Sequence, residues 1–175
     1  MRFFRPDATP PAADSQASSA ETEAVRRIVG RLESMPPEQA RFLAGVAYVL
    51  ARAANADLTI SDDETSVMET ELRGLGLDES QSVLVVEMAK LQERTTGATS
   101  DYLVTREFRD ISSPEQRLGL LRACFHVCAA DDSISGTESS TLDQIANELD
   151  VPREDVRKLR GEFGTLFSAR LDFGQ

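Results

Sequence analysis

The chain has 175 residues, of which 41% are apolar and 28% charged, and this is the composition of a soluble globular protein with a core of its own. Its formal net charge of −11 disfavours binding to nucleic acid or to anionic membranes, because their phosphate groups would be repelled. The longest apolar run is too short to span a bilayer, and the N-terminus lacks the apolar run of a signal peptide. We therefore expect a cytoplasmic protein with no direct insertion into a membrane.

The N-terminal residues 1–19 are rich in Pro, Ala, Ser and Asp and lack hydrophobic periodicity, which predicts a disordered tail. Ser18 and Glu21 form a capping-box pattern ahead of the first periodic apolar residues, so the first helix is expected to begin there. A single domain is then predicted over residues 20–172.

After Ser18, successive stretches of the chain have apolar residues at helical spacing, and capping or turn signals separate one stretch from the next. A shorter helical stretch is predicted over 102–111, and longer helices are predicted to begin near Ser18, Pro37, Ser61, Asp78, Ser113, Ser135 and Pro152. The helix after Ser61 should end at the Gly74-Leu75-Gly76 turn, and the helix after Pro152 should include Phe167. No stretch alternates with a period of two, so no sheet is expected. The predicted fold class is all-α, a compact bundle of about seven or eight helices.

Two halves of the chain, about 37–95 and 114–168, share one pattern of helix, acidic loop, capped helix, turn and helix. Residues 56–64 align without a gap on residues 130–138, so the loops and the caps correspond position by position. Each half has an apolar stripe that needs a cover. The simplest prediction is therefore a pseudo-symmetric pair of repeats packed face to face.

The negative charge is concentrated in the two segments that the repeat aligns, 55–72 and 129–152, which together contain twelve acidic residues and no basic residue. These acids are Asp57, Asp62, Asp63, Glu64, Glu69, Glu71, Asp131, Asp132, Glu138, Asp143, Glu148 and Asp150. Several have an ordinary structural role, because acids in a first helical turn cap the helix and are stabilised by its dipole. Capping does not account for Asp57, Asp131 and Asp132, which precede the capped helices.

Two interpretations of the acidic segments follow. They are either solvated helix faces, which is the common case, or converging carboxylates that bind a divalent cation. A site made of oxygen ligands would favour a hard ion such as Ca²⁺, Mg²⁺ or Mn²⁺. An EF-hand is excluded, because the twelfth loop position, where that motif has a bidentate Glu, is Met68 in one copy and Leu142 in the other.

The repeated unit resembles the TerB family of tellurite-resistance proteins. The hallmark of that family is a loop with a small residue, Asp, Gly and a following Glu, then an amphipathic helix that ends in Leu-Gly-Leu, present twice. Here the first copy is 56–64, followed by Leu75-Gly76-Leu77, and the second is 130–138, followed by Leu149-Asp150-Val151. The helix start Phe42-Leu43-Ala44-Gly45 is also similar.

The resemblance implies an all-α stress-resistance protein that binds a divalent metal and works with a membrane-associated protein partner. By position, the implied ligands are Asp57, Glu64, Asp131 and Glu138, with Asp62, Asp63 and Asp132 as neighbours. One departure concerns the loop Gly of the family, which is Leu58 in the first copy and Asp132 in the second. Gly permits a left-handed turn that Leu resists, so the first loop is expected to differ in shape.

Other constellations point away from catalysis. His126 is flanked by Cys124 and Cys128, but on a helix residue 126 lies away from the face that the two cysteines share, and buried cysteines usually act as small hydrophobes. No catalytic triad, phosphate-binding loop or dinucleotide motif is present, so we expect no enzyme activity. The alternative function is a helical adaptor that docks a protein partner and has no role for a metal.

Overall fold

In the computed structural model, the residues that the structure describes are 12–54, 62–92 and 98–167. They form the helices α1 (Ala12–Glu33), α2 (Pro37–Ala54), α3 (Asp62–Gly74), α4 (Glu79–Gln92), α5 (Ala98–Ile111), α6 (Pro114–Cys128), α7 (Gly136–Glu148) and α8 (Arg153–Glu162). Within these ranges there is no β-strand, only one isolated β-bridge. The predicted all-α fold class is confirmed.

The chain divides into two compact units, Met1–Met35 and Pro36–Gln175. In the first unit, α1 begins at Ala12 and not at Ser18. The added residues are rich in Ala, the strongest helix former, and they extend the helix beyond the capping signal at Ser18. The rest of the predicted tail lies outside the described residues, and the single domain over residues 20–172 stays a prediction.

The helix boundaries of the second unit follow local sequence signals. α2 begins at Pro37, where the missing amide hydrogen of proline carries no penalty. The amide of Leu77 donates to the Leu72 carbonyl across Gly76, whose φ of 86° closes α3 with a left-handed residue. Asp78 caps α4, because its carboxylate accepts from the amide of Gln81 at 2.8 Å. The predicted starts and stops of these helices are therefore observed.

Helices α2 and α6 form the centre of the second unit. α2 packs against α4, α5, α6 and α7, and α6 packs against α2, α3, α7 and α8. Every residue of α2 from Gly45 to Ala51 is buried. The second helix of each predicted half thus lies on the first helix of the other half, which brings the ends of α2 and α6 into one region. The order of the helices repeats, while a symmetric relation between the halves stays a prediction.

The packing of α2 on α5 depends on a small residue. A Cβ atom added at Gly45 would lie 2.6 Å from Cδ2 of Phe108, a fully buried side chain of α5. Phe42, one turn earlier, contacts the same ring with a centroid distance of 5.3 Å. Gly45 therefore allows the backbone of α2 to approach the Phe108 ring directly.

The last helix is shorter than predicted. α8 ends at Glu162, followed by a turn through Gly164, and Phe167 lies beyond the helix. Two glycines close together lower the helix propensity at this point. Phe167 instead forms an isolated parallel bridge with Ile134, whose amide donates to the Leu166 carbonyl at 2.7 Å. This backbone bond attaches the second acidic loop to the chain after α8.

None of the helices in the described ranges is long and apolar enough to cross a membrane.

Candidate functional site

The candidate site lies where α2 and α6 end. Cys128, the last residue of α6, donates through its Sγ to the carbonyl of Ala53 near the end of α2, at a distance of 3.5 Å. Both acidic segments follow directly from these two helix ends. The C-termini of α2 and α6 also carry the negative ends of their helix dipoles, which favour a nearby cation.

The second acidic loop has a fixed local geometry. Oδ1 of Asp131 accepts from the backbone amide of Ser133 at 3.1 Å and from its hydroxyl at 3.2 Å, which closes a turn. Asp132 follows with a φ of 63°, so an aspartate takes the left-handed conformation at the position where the family has Gly. The side chains of Asp131 and Asp132 are both exposed.

Glu138 connects this loop to α7. Its Oε2 accepts from the amide of Ser135 at 2.6 Å, and the Ser135 hydroxyl accepts from the amide of Glu138 at 3.2 Å. This reciprocal pair is the predicted capping box, and it is confirmed. The same box occurs at the start of α6 with Gln116 in place of the glutamate. The cap therefore does not require the charge of Glu138.

The first acidic segment is described only in part. Asp62 and Asp63 are exposed in the first turn of α3, and Glu64 in the same turn is half-buried. Asp57 and the cap residue Ser61 lie outside the described residues. The prediction that Asp57 is a ligand, and the predicted shape of the loop around Leu58, stay predictions.

The Cys128 thiol is influenced by carboxylates from both segments. Burial raises the pKa of this thiol well above its usual value, and the nearby Cys124, Glu138, Glu64 and Asp131 raise it further. Of the two helices that meet at this sulfur, α2 precedes the segment with Glu64, and α6 precedes the segment with Asp131 and Glu138. The segments that contain three of the four predicted ligands therefore begin at the place where α2 and α6 meet.

The proximity of the two helix ends does not by itself form a coordination shell. Within the described ranges, no three His, Cys, Asp or Glu side chains are arranged so that they could hold a metal ion. The arrangement crowds negative charge at two helix ends, and a cation would reduce that repulsion. Since Asp57 is outside the described residues, the full predicted ligand set stays a prediction.

Other acids of the two segments have partners of their own. Asp143 pairs with Arg160 at 2.6 Å, Glu69 pairs with Arg73 at 3.6 Å, and Glu71 lies 3.7 Å from Nε2 of His126. These partners come from neighbouring turns or from other helices. The charge excess of the two segments therefore overstates the number of carboxylates that face a site.

Glu148 has a structural role that the sequence analysis missed. Its Oε2 accepts from Nη1 of Arg52 at 2.5 Å, and the second guanidinium nitrogen approaches Oε1 at 3.3 Å. The same Nη1 donates to the hydroxyl of the fully buried Thr105 at 2.8 Å. This ion pair connects α2, α5 and α7, and its side chains are only 9% and 17% exposed. No local pattern could reveal it, because 96 positions separate the two residues.

The two cysteines, Cys124 and Cys128, are free and buried thiols. Burial raises the pKa of Cys124 to about 12, so the reactive thiolate is absent at neutral pH. His126 lies on another side of α6, where its ring contacts Phe163 with a centroid distance of 4.8 Å. Neither observation supports a soft-metal site formed by Cys124, His126 and Cys128.

A comparison with protein families finds one match. The family model described as Tellurite resistance protein TerB matches residues 43–161, more than half of the chain. The matched region begins in α2 and ends in α8, and it includes both acidic segments. No curated protein and no solved structure matches the chain.

Proposed function

Because the chain belongs to the TerB family of tellurite-resistance proteins, we propose that it is a non-catalytic stress-resistance protein that binds a divalent cation between its two acidic segments. The observation that supports this proposal is the contact between the ends of α2 and α6, where Sγ of Cys128 lies 3.5 Å from the Ala53 carbonyl and from which both acidic segments begin. Asp57 completes the proposed ligand set. Ca²⁺, Mg²⁺ and Mn²⁺ are the candidate ions, since all the proposed ligands are oxygen atoms.

Electrostatics supports the same proposal. Like charges collected at the negative ends of α2 and α6 repel one another, and a divalent ion there would remove that penalty. A ligand that binds the folded state and not the unfolded state raises the free energy of unfolding by mass action. Cation binding should therefore be visible as an increase in thermal stability.

The test is the melting temperature of the full chain in chelator and in millimolar Ca²⁺, Mg²⁺, Mn²⁺ or Zn²⁺. We expect one of the hard ions to raise the melting temperature by several degrees, on the scale of about 2–4 °C per kcal/mol for a chain of this size. The gain should be lost in Glu138→Gln and in Asp131→Asn. Both substitutions remove charge and keep a side-chain oxygen as acceptor. Gln116 already forms in α6 the cap that Gln would form at 138, and the amide oxygen of Asn can accept the bonds that Ser133 donates to Asp131.

The matched control is Glu79→Gln, which removes one exposed acid of α4 that lies outside both acidic segments. It should keep the full gain with the cation. In chelator, Glu138→Gln should melt at the same temperature as the wild type or slightly higher, because it relieves repulsion. A chain that shows no stabilisation with any of the four ions would contradict cation binding and would leave the helical adaptor as the function to test.

A further inference from the structure

A second candidate site, independent of the proposed cation site, lies between α7 and α8. It is an open groove of about 450 Å³, within the range of protein binding pockets. Apolar contacts are provided by Ala146, Val151 and Val156. Three arginines of α8 also line the groove: Arg153, Arg157 and Arg160.

The charge of this groove is opposite to that of the whole chain. Against the three guanidinium groups it contains one acid, Asp143, whereas the chain as a whole has a formal net charge of −11. Asp143 is engaged, since its carboxylate pairs with Arg160 at 2.6 Å. The groove therefore attracts an anionic ligand although most of the chain repels one.

The arginines divide into one that is held in place and two that are available. Arg160 donates to the carbonyl of Ser139 at 3.1 Å and lies 4.9 Å from the centroid of the Phe167 ring, in addition to its pair with Asp143. Arg153 and Arg157 are exposed, and no acid in the described ranges pairs with either of them. The acids nearest in sequence, Glu154 and Asp155, instead pair with Lys158.

The spacing of the available pair indicates what it recognises. Arg153 and Arg157 are one helical turn apart, a rise of about 6 Å along α8. Alternate side chains of an extended peptide are separated by about 6.5 Å and lie on one face, while the intervening side chain lies on the other face. Two acids at alternate positions would match the two arginines, and an apolar residue between them would face the apolar part of the groove.

We propose that the groove between α7 and α8 binds an extended segment of a protein partner in which acidic and apolar residues alternate. Guanidinium–carboxylate pairs at Arg153 and Arg157 provide charge-assisted hydrogen bonds, and Arg160 with Asp143 forms a fixed wall. Ala146 of α7 contacts the apolar side chains, which lie on the face of the peptide opposite its acids. A single inorganic anion would satisfy only part of this surface.

The test is fluorescence anisotropy with a short labelled peptide in which Glu and Leu alternate, titrated with the full chain. The double variant Arg153→Ala/Arg157→Ala should weaken binding at least about tenfold, because both charge-assisted pairs are lost. The matched control is Arg26→Ala/Arg106→Ala, which removes the same charge from exposed positions that do not line the groove and should change affinity less than about twofold. A peptide in which Ser replaces Leu should bind more weakly than the original.

Four results would overturn the proposal. The first is equal weakening in both double variants, which indicates attraction by net charge alone. The second is displacement of the peptide by inorganic phosphate at constant ionic strength, which indicates a site for one anion. The third is self-association of the wild type that is lost in Arg153→Ala/Arg157→Ala, which makes a second copy of the chain the occupant. The fourth is the absence of saturable binding of the peptide.

Discussion

At the scale of single residues, the two buried thiols make stability depend on pH. The pKa of Cys124 is about 12 in the folded chain, raised by burial from an ordinary value near 9.0. Between those values the folded state keeps a proton that the unfolded state has lost. The free energy of unfolding therefore falls as pH rises from about 9 towards 12, by roughly 1.4 kcal/mol per pH unit for one thiol.

We predict that Cys124→Ala has a less steep fall of the free energy of unfolding with pH. The slope should differ from that of the wild type by about 1.4 kcal/mol per pH unit, the contribution of one proton, because the variant lacks the titrating thiol. Urea denaturation at several pH values between 8 and about 11 measures the slope, and the total stability of the variant does not enter the comparison. Alkylation of the wild type at neutral pH should proceed only after unfolding. Identical slopes in the two proteins would show that Cys124 is not protected in the folded state.

At the residue scale, the structure shows what happens where the second loop departs from the family's Gly. The sequence analysis noted Leu58 and Asp132 at that position and made no prediction for the backbone of Asp132. The structure places Asp132 at a φ of 63°, a conformation that Asp tolerates better than most residues because its short side chain can bond locally. The equivalent Leu58 lies outside the described residues, so the expected difference in the first loop stays a prediction.

At the scale of helices, the pair formed by Arg52 and Glu148 is the main polar contact of the core that connects α2 and α7. It is largely buried, and Arg52 also donates to the hydroxyl of Thr105 in α5. Removing one member leaves an uncompensated charge in a region with little water. We predict that Arg52→Met lowers the free energy of unfolding by about 3–5 kcal/mol.

The double variant Arg52→Met/Glu148→Leu should recover much of that loss, because it removes both charges together. Arg122→Met serves as the control, since Arg122 forms an ion pair with Glu162 in which both side chains are about half exposed. That pair should contribute at most about 1 kcal/mol. Urea denaturation of the wild type and the three variants measures the free energy of unfolding of each. A loss in Arg52→Met as small as the loss in Arg122→Met would contradict a structural role for the buried pair.

The helices themselves were largely predictable, and their long-range contacts were not. Caps and turns at Asp78, Ser135 and Gly76 are local signals, so the predicted boundaries agree with the structure at those points. α1 begins earlier and α8 ends earlier than predicted, at places where the capping and termination signals are weak. Small differences in helix propensity then decide where the helix begins or ends. The bridge between Ile134 and Phe167 involves one residue pair, so it leaves no alternating pattern in the sequence.

At the scale of the whole molecule, the uneven charge distribution predicts a response to monovalent salt. Raising NaCl from about 0.01 M to about 0.15 M shortens the Debye length from about 30 Å to about 8 Å. Repulsion among the crowded acids is then screened. We predict that the melting temperature of the wild type in chelator rises with salt, and that Asp131→Asn/Glu138→Gln shows a smaller rise.

Differential scanning calorimetry over a series of NaCl concentrations measures the melting temperature of each protein. Glu79→Gln is the control, since it removes one acid outside the two acidic segments. A salt response equal in all three proteins would show that the acidic segments do not repel one another more than the rest of the surface does. This outcome would also weaken the electrostatic basis of the proposed cation site.

The proximity of the acidic side chains of the two segments stays a prediction, while the packing of the helices that carry them is observed. α3 lies on α6 and α7 lies on α2, so each of these helices packs on the other half. The partners of Asp143, Glu71 and Glu148 come from other helices, so composition alone could not separate structural acids from candidate ligands.

The backbone bond between Ile134 and Leu166 couples the second acidic loop to the chain that follows α8. If that following segment opens locally, the amide of Ile134 loses its acceptor and becomes available to water. Hydrogen exchange at the Ile134 amide therefore reports the opening of residues 163–167, although those residues contain none of the acids of the loop.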